Sequence, residues 1–292
     1  MVRYFAFGLN ICSEIEIAML RPCDTTAEPD VTICRKDLSS LRGEGMETFT
    51  LEPQRVFVRL TEKIACLMEN GNSIAVDAAE GTEQGLLAVY LLGSCMGAIL
   101  IQRGNLLLHG SCVAKDGKAV LLTGDSGAGK STLAARFLAN GWRLVTDDVA
   151  VVRGIEEHEA TVYPSYPSQK LWQDAIDRTD YKGEKFSLFQ EERREKFNIR
   201  VEAFSNEPAR LTAVVRLVPT DAECSVEEIT GFVRVDQLMR NTYRSYMIPE
   251  KERPKHFQRC VTLGNDIHML AALRARDRDT TQEIYDRIVS MI

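Results

Sequence analysis

The sequence lacks the features that mark secreted, zinc-binding or nucleic-acid-binding proteins. Its eight cysteines form no C-x-x-C pair and no other paired spacing, and its four histidines are scattered. This spacing argues against a disulfide framework and against a zinc site, so we expect reduced thiols in a reducing compartment. A formal net charge of −6 argues against broad nucleic-acid binding. The chain also has no internal repeat and no low-complexity tract.

A secretory leader pattern and a full-length membrane span are missing as well. The first fifteen residues do not show the basic-then-apolar order of a signal peptide. One uncharged stretch, Leu86 to Ile101, has sixteen residues, whereas a membrane span needs about 20. We interpret this stretch as a buried core helix, and we expect a cytoplasmic protein without a membrane partner.

The sequence does contain a complete phosphate-binding loop. Gly124–Ser131 reads GDSGAGKS and fits the pattern G-x-x-x-x-G-K-[ST] at every position. The apolar residues 119–123 before it predict a buried strand, and Leu133 and Phe137 after it follow helical spacing. A helix that begins at the lysine or the serine of the loop would direct unpaired N–H groups at phosphate oxygens. The predicted nucleotide-binding residues are Gly124, Asp125, Ser126, Gly127, Ala128, Gly129, Lys130, Ser131 and Thr132.

Two side chains of this loop have predicted roles, and two acids follow the loop. Lys130 offers a point charge for the β- and γ-phosphates, and the Ser131 hydroxyl offers a ligand for Mg²⁺. Asp147 and Asp148 end the next predicted strand, where neighbouring side chains point to opposite faces. One acid can therefore hold Mg²⁺, while the other accepts the proton of a substrate hydroxyl during in-line phosphoryl transfer. Either acid could instead satisfy a turn at the strand end.

A histidine is the remaining candidate for the chemistry. Asp116-Gly117 is a favoured pair for a tight hairpin turn between the predicted strands 106–114 and 118–123. This hairpin would place His109 beside the strand that leads into the phosphate loop. A packed, hydrogen-bonded histidine without a chemical role is the alternative.

The remaining pattern predicts an α/β protein with a smaller β-rich region at residues 1–80 and a P-loop domain at residues 81–292. In the second region, residues 163–172 read as a proline-bounded loop that runs into a helix. The charged segment 173–209 is predicted to be either a solvated, flexible segment or a lid beside the phosphates. A capping box from Thr280 to Glu283 is predicted at the start of the last helix. The other predicted elements are strands 3–11, 31–35, 55–61, 63–69, 73–78, 211–219 and 268–275, and helices 235–246 and 280–292.

The order and spacing of His109-Gly110, the phosphate loop and Asp147-Asp148 resemble the bacterial HPr serine kinase/phosphorylase. The resemblance covers roughly residues 105–153. It implies a kinase domain of the HPr-kinase/PEP-carboxykinase type that uses ATP and Mg²⁺. It also implies that Asp147 is the general base, that Asp148 and Ser131 serve the metal, and that His109 lies near the base and tunes it. Lys130 would bind the β- and γ-phosphates.

The sequence departs from that family at two points. Thr132 stands where the bacterial enzymes usually carry an acid, and their downstream Arg-Gly-x-Gly signature has no good counterpart after Asp148. We therefore do not expect phosphorylase activity. The opening Y-x-A-F-G-L, the L-H-G-S at 108–111 and Lys170-Leu171-Trp172 look more like the HPr-kinase homologues of lasso-peptide gene clusters. That resemblance implies that the substrate is a peptide, a lasso-peptide precursor, and that its C-terminal serine is phosphorylated.

Two other functions stay open, as does the means of acceptor binding. The chain could act on an HPr-like phosphocarrier, or it could be a nucleotide-gated binding protein that transfers nothing. A terminal serine carries a free carboxylate, which suits capture by lysine or arginine. The charged segment 173–209 and the run Lys251–Lys255 are the predicted sources of that cation, and the choice between them is open. A homo-oligomer is compatible with all these interpretations.

Overall fold

Three β-sheets and seven α-helices make up the part of the chain that this computed structural model describes, residues 1–41, 49–176, 185–191 and 194–292. Two sheets have seven strands each and the third has three. This mixture of sheets and helices confirms the predicted α/β class.

The first sheet is built from the N-terminal residues, in the strand order β1-β2-β3-β7-β6-β5-β4. The predicted single strand 3–11 is instead a hairpin, because Phe7 and Gly8 both adopt left-handed backbone angles, with φ of 58° and 70°. Asn70-Gly71 makes the predicted turn between β6 and β7. The strands are β1 Val2–Ala6, β2 Leu9–Ser13, β3 Val31–Arg35, β4 Phe49–Glu52, β5 Arg55–Arg59, β6 Ile64–Glu69 and β7 Ser73–Ala78.

The uncharged stretch forms the helix that covers this sheet. It consists of α1 Gln84–Tyr90, a π-helical turn Leu91–Cys95 and α2 Met96–Gln102. Within the described residues it is the one helix long and apolar enough to cross a membrane by length and composition, and 67% of its most apolar window is buried inside the protein. It packs with the first sheet and with Leu107, Val149 and Val151 of the next sheet in one apolar cluster. The apolar core therefore continues across the predicted boundary at residue 80, and the two-domain division stays a prediction.

The second sheet carries the phosphate loop, in the strand order β11-β10-β8-β9-β15-β17-β16. β9 lies parallel to β15, and β15 lies parallel to β17, whereas β8 runs antiparallel to both β9 and β10. The Asp116-Gly117 turn joins β8 to β9 as predicted. The strands are β8 Leu106–Lys115, β9 Lys118–Thr123, β10 Arg143–Arg153, β11 Thr161–Tyr163, β15 Ala209–Thr220, β16 Ser225–Glu228 and β17 His268–Ala275.

The third sheet corrects two predictions. Residues 168–172 of the predicted loop are a strand, and much of the charged segment 173–209 pairs with it, in the order β12-β14-β13. The buried side chains of Leu171, Ile176 and Ile199 form a small apolar cluster here, against which partly buried Phe197 packs. Residues 177–184 and 192–193 lie outside the described residues. The strands are β12 Ser168–Trp172, β13 Lys185–Glu191 and β14 Arg194–Arg200.

The remaining helices pack on the second sheet, except for the short helix Gln173–Ile176, which contacts the third sheet. The predicted capping box is wrong: the Thr280 side chain makes no cap bond. Asp279 caps this end instead, because its Oδ1 accepts the Thr281 N–H at 2.9 Å. The helices are α3 Lys130–Ala139, α4 Gln173–Ile176, α5 Phe232–Arg240, α6 Arg253–Asp266 and α7 Thr281–Met291.

A short non-helical segment, residues 241–243, follows α5 where the sequence predicts continued helix. It lies along β8, since the His109 N–H donates to the Asn241 carbonyl at 2.7 Å and the Tyr243 N–H donates to the Leu107 carbonyl at 2.9 Å. Buried His256 of α6 holds it from behind, with its Nε2 2.9 Å from the Thr242 hydroxyl. Residues 241–243 are thus held by β8 on one side and by His256 on the other.

Removing His256 tests how this segment is held. Burial lowers the pKa of His256 below 6.5, so the unfolded chain binds the proton more tightly than the folded chain does. The stability contributed by the neutral ring is present above about pH 6.5 and is lost as pH falls below that value. We expect the free energy of unfolding to fall between pH 7.5 and 5.5 by a smaller amount in His256→Gln than in the parent protein, as measured by urea denaturation. An equal fall in both proteins would contradict this prediction.

Phe137 connects the phosphate-loop helix to the core. Its side chain is fully buried, and its ring centroid lies 4.9 Å from those of both Trp142 and Tyr285. We expect Phe137→Ala to lower the free energy of unfolding by about 3–5 kcal/mol, because a large buried ring leaves a cavity. Phe232→Ala, at a position 69% exposed, is the matched control and should change the same quantity by less than about 0.5 kcal/mol. Similar losses in both variants would show that the ring contacts contribute little.

Candidate active site

The phosphate loop has the backbone conformation that its glycines allow. Gly124, Gly127 and Gly129 have φ of 132°, 81° and 100°, a region that favours glycine. A Cβ atom on Gly124 would also lie 2.7 Å from the Leu217 carbonyl oxygen. α3 begins at Lys130, as predicted. Among the described residues, no protein group accepts a hydrogen bond from the backbone N–H of Gly127, Gly129 or Ser131. Donors of this kind at a helix N-terminus suit an anion.

The side chains of the loop differ in exposure. Asp125, Ser126 and Thr132 are exposed, and Ala128 is buried against the sheet. The Lys130 ammonium donates to the carbonyl oxygens of Gly124 at 2.7 Å and Asp125 at 3.0 Å, so it lies across the loop. Its position there is compatible with the predicted phosphate contact.

The strand pairing brings the acids to the loop. In the β8–β10 register, Asp147 lies opposite Ser111, Asp148 opposite Gly110, and Val149 opposite His109. A Cβ atom on Gly110 would lie 2.4 Å from the Leu122 carbonyl oxygen of β9, which explains why glycine follows the histidine. His109 and both acids therefore meet at the end of the strand that leads into the loop.

Asp147 is the more enclosed of the two acids. Its side chain accepts hydrogen bonds from the Ser111 hydroxyl and, at 2.8 Å, from the Lys170 backbone N–H. Burial raises the pKa of Asp147 above its ordinary value, against the effect of these two hydrogen bonds. A carboxylate with a raised pKa is a better proton acceptor.

Asp148 has a different environment. Its backbone is left-handed, with φ of 79°, a strained conformation for a non-glycine residue. Its carboxylate lies 2.6 Å from the Lys170 ammonium and 3.4 Å from His109 Nδ1. The prediction that the two acids differ in role is compatible with these separate environments.

Lys170 is a site residue to which sequence reasoning assigned no role. Its ammonium pairs with Asp148, its N–H reaches Asp147, and its carbonyl accepts a hydrogen bond from the Ser131 hydroxyl at 3.4 Å. Burial alone would lower the pKa of Lys170, but attraction to Asp148 raises it above its ordinary value. One residue of β12 thus connects both acids with the loop serine.

Two further residues beside His109 were also missed. The Tyr243 ring stacks on the His109 ring, with centroids 6.1 Å apart and an interplanar angle of 27°. Gly97 of α2 makes room for it, since a Cβ atom there would lie 3.0 Å from Tyr243 Cε1. Arg244 follows with its guanidinium 5.3 Å from the centre of the Tyr243 ring. No local motif signals these residues, because the fold alone places residues 241–243 against β8.

The run Lys251–Lys255 does not meet the other predicted residues. Lys251 and Lys255 line a groove of about 190 Å³ with Pro53, Arg103 and Arg259. None of the residues that line this groove belongs to the phosphate loop or to the acid pair. The groove that this run lines is thus distinct from the phosphate loop, and a role of the run in binding the acceptor stays a prediction.

A second cavity adjoins the phosphate loop. It has a volume of about 620 Å³ and includes Ser131 and Thr132 in its lining. Four arginines also line it: Arg136, Arg274, Arg276 and Arg278. One of them, Arg274, donates to the Ala128 carbonyl at 3.4 Å. Asp277 and Asp279 line the cavity as well, so its arginines outnumber its acids. Cations beside a helix N-terminus suit an anionic ligand.

Residues 78–177 match a family model, "SynChlorMet cassette protein ScmC". That segment contains His109, the phosphate loop, both acids and Lys170, and it is about a third of the chain. A match of this length shows local similarity and leaves the rest of the chain unassigned.

Curated relatives match a shorter segment. An HPr kinase/phosphorylase from Clostridium botulinum (strain Eklund 17B / Type B) is 42% identical over 60 residues, which is 20% of this chain and 19% of the relative. An HPr kinase/phosphorylase from Clostridium beijerinckii is 45% identical over 49 residues, 17% of this chain and 16% of the relative. The chain thus spans about a fifth of the length of these curated relatives.

Among solved structures, the Hpr(Ser) kinase/phosphatase from Coxiella burnetii matches at 16% identity and a TM-score of 0.33, over 63% of this chain and 95% of that one. The similarity of this chain to HPr kinase/phosphorylases therefore depends on the sequence of a short segment.

Proposed function

We propose that the protein is an ATP- and Mg²⁺-dependent kinase that phosphorylates a serine hydroxyl of a peptide. The observation that carries the proposal is the phosphate loop beside Asp147, Asp148 and His109, three residues that β8 and β10 bring together at the end of β9. Phosphoryl transfer requires a held donor, a metal and a group that accepts the hydroxyl proton. The local similarity to HPr kinase/phosphorylases supports the same reaction class.

The residues fit a nucleotide. The unpaired N–H groups of Gly127, Gly129 and Ser131 and the ammonium of Lys130 would hold its phosphates. The cavity of about 620 Å³ next to Ser131 has room for the nucleoside part.

The residues also fit Mg²⁺, which prefers oxygen ligands. The Ser131 hydroxyl and the Asp148 carboxylate both contact Lys170, the hydroxyl through the Lys170 carbonyl oxygen and the carboxylate through the Lys170 ammonium. These two groups would hold the metal. When bound, it would neutralise charge that develops on the transferring group.

We assign Asp147 as the general base. Its carboxylate is positioned by Ser111 and by the Lys170 N–H, and burial raises its pKa. The acceptor hydroxyl would give its proton to this carboxylate as its oxygen bonds to the γ-phosphorus, while the bond from that phosphorus to the bridging oxygen breaks and ADP leaves with the bonding electrons. His109 lies at the neighbouring acid and would tune the pair. The reverse assignment is open, because Asp148 is nearer to His109.

We propose that the acceptor is a lasso-peptide precursor and that the phosphorylated residue is its C-terminal serine. The family model describes a cassette protein, which is compatible with a dedicated acceptor, and the motifs at 108–111 and 170–172 resemble kinases of that kind. The similarity to HPr kinase/phosphorylases favours a second candidate, an HPr-like phosphocarrier.

Nucleotide binding is tested first. We expect saturating MgATP to raise the melting temperature of the protein by several degrees, because a ligand at 100 times its Kd adds about 2.7 kcal/mol. Lys130→Ala should lose most of this shift, measured by scanning fluorimetry. Lys118→Ala, an exposed lysine at the start of β9, should keep it. No shift in the parent protein, together with no heat of binding at millimolar ATP, would contradict the proposal.

The roles of the acids are tested by comparing two isosteric variants. Asp147→Asn should slow peptide phosphorylation by about 10²–10⁴-fold, the usual effect of removing a general base, with ATP affinity unchanged. Asp148→Asn should instead weaken the Mg²⁺-dependent part of ATP binding, measured by calorimetry. Asp116→Asn, in the exposed turn between β8 and β9, is the control. If the two variants exchange behaviour, the two roles are reversed. Normal ATP binding with no transfer to any peptide or phosphocarrier would favour the non-catalytic binding protein.

A further inference from the structure

Arg244 presents a fixed cation next to the candidate active site. Its Nε donates to the Tyr243 hydroxyl at 3.2 Å and its Nη1 donates to the Tyr246 hydroxyl at 2.6 Å. Its backbone is left-handed, with φ of 47°, an unusual conformation for a residue with a long side chain. The guanidinium is therefore held at a defined place against the ring that stacks on His109.

Part of its hydrogen-bonding capacity is open. A guanidinium has five N–H donors, and the two phenol oxygens use two of them. No carboxylate of the described residues lies within ion-pair distance of Arg244, whereas Arg276 and Arg278 pair with Asp221 and Glu223. A half-buried cation with free donors suits an anion that comes from outside the chain.

The position of Arg244 separates it from the donor end of the site. α3 packs over the C-terminal half of β8, where Leu133 and Phe137 share an apolar cluster with Val113. Tyr243 lies at the other half of β8, hydrogen-bonded to Leu107. Since transfer requires donor and acceptor oxygens in line on opposite sides of the phosphorus, an acceptor would approach from the side of Tyr243 and Arg244.

The other cations near the site fit the donor better. Arg274 contacts the loop itself through the Ala128 carbonyl, and Lys170 is paired with Asp148. Lys251 and Lys255 line the separate groove beside Pro53. Arg244 is thus the cation among the described residues that combines open donors with contact to the ring beside His109.

We propose that Arg244 binds a carboxylate of the acceptor and so positions the neighbouring serine hydroxyl at His109 and the acids. This inference rests on the proposed kinase function and names the class of its acceptor. The carboxylate belongs either to the end of a peptide or to an acidic side chain next to the serine. The contact makes and breaks no covalent bond. Tyr243 and Tyr246 are positioning residues for the guanidinium.

The test uses synthetic peptides and two arginine variants. The probes are ten-residue peptide libraries that end in serine, prepared as free acids and as C-terminal amides, and libraries with an internal serine followed by aspartate or asparagine. Arg244→Gln removes the charge, and Arg240→Gln changes an exposed arginine of α5 that pairs with Asp236. Binding is measured by fluorescence anisotropy, and phosphate transfer is measured by mass spectrometry. The melting temperature of each variant checks that it is folded.

We expect the parent protein and Arg240→Gln to bind and phosphorylate a carboxylate-bearing library about 10- to 100-fold better than its neutral partner, the effect of one charged hydrogen-bonded contact. Arg244→Gln should remove this preference, so that the charged library is bound and phosphorylated no better than its neutral partner. Preference within the serine-ending pair identifies the chain terminus, and preference within the internal pair identifies an acidic side chain. If Arg244→Gln lowers binding and phosphorylation equally for charged and neutral libraries, Arg244 has a structural role and the proposal is overturned. The absence of any preference in the parent protein would also overturn it.

The two proposals fail differently. A carboxylate preference in binding that Arg244→Gln removes, without any transfer of phosphate, would support the Arg244 site and contradict the kinase function. Transfer that is indifferent to the carboxylate would support the kinase function and overturn the Arg244 site.

Discussion

The antiparallel pairing of β8 with β10 is the constraint on which the candidate site depends. It sets Ser111 against Asp147 and Gly110 against Asp148, while β9 approaches so closely that only glycine fits at position 110. At this pairing Asp148 adopts a left-handed backbone conformation. Such a strained residue lowers the free energy of unfolding by about 1–3 kcal/mol. The buried strands on both sides supply the stability that keeps this conformation.

Lys170 balances the charge that this pairing creates. Two neighbouring carboxylates in a buried site repel one another, and that repulsion favours protonation. The Lys170 ammonium at Asp148 and its N–H at Asp147 offset the repulsion. The Asp148 carboxylate, which would help to hold Mg²⁺ in the proposed kinase, is thus paired with an ammonium of the protein itself.

The site could be predicted from the sequence where its geometry is local. The phosphate loop, its helix and the Asp116-Gly117 hairpin depend on residues within a few positions of one another, so motif and periodicity were sufficient. The roles of Lys170 and Tyr243 could not be predicted, because their contacts are with residues distant in the sequence. The capping box failed for a local reason: Asp279 offers its carboxylate to the same helix end. The third sheet was missed because its strands carry many charges, which the sequence alone presents as a solvated segment.

A net charge of −6 is compatible with a site for two anionic substrates, because the cations are ordered along it. Arg274 and Lys130 lie at the donor end, Lys170 lies between the acids, and Arg244 lies beyond His109. Each is held by a carbonyl, carboxylate or phenol oxygen, so the cations do not depend on their ligands for position. If the proposed acceptor carries its own carboxylate, Arg244 would therefore be available to it while Lys130 and Arg274 serve the phosphates.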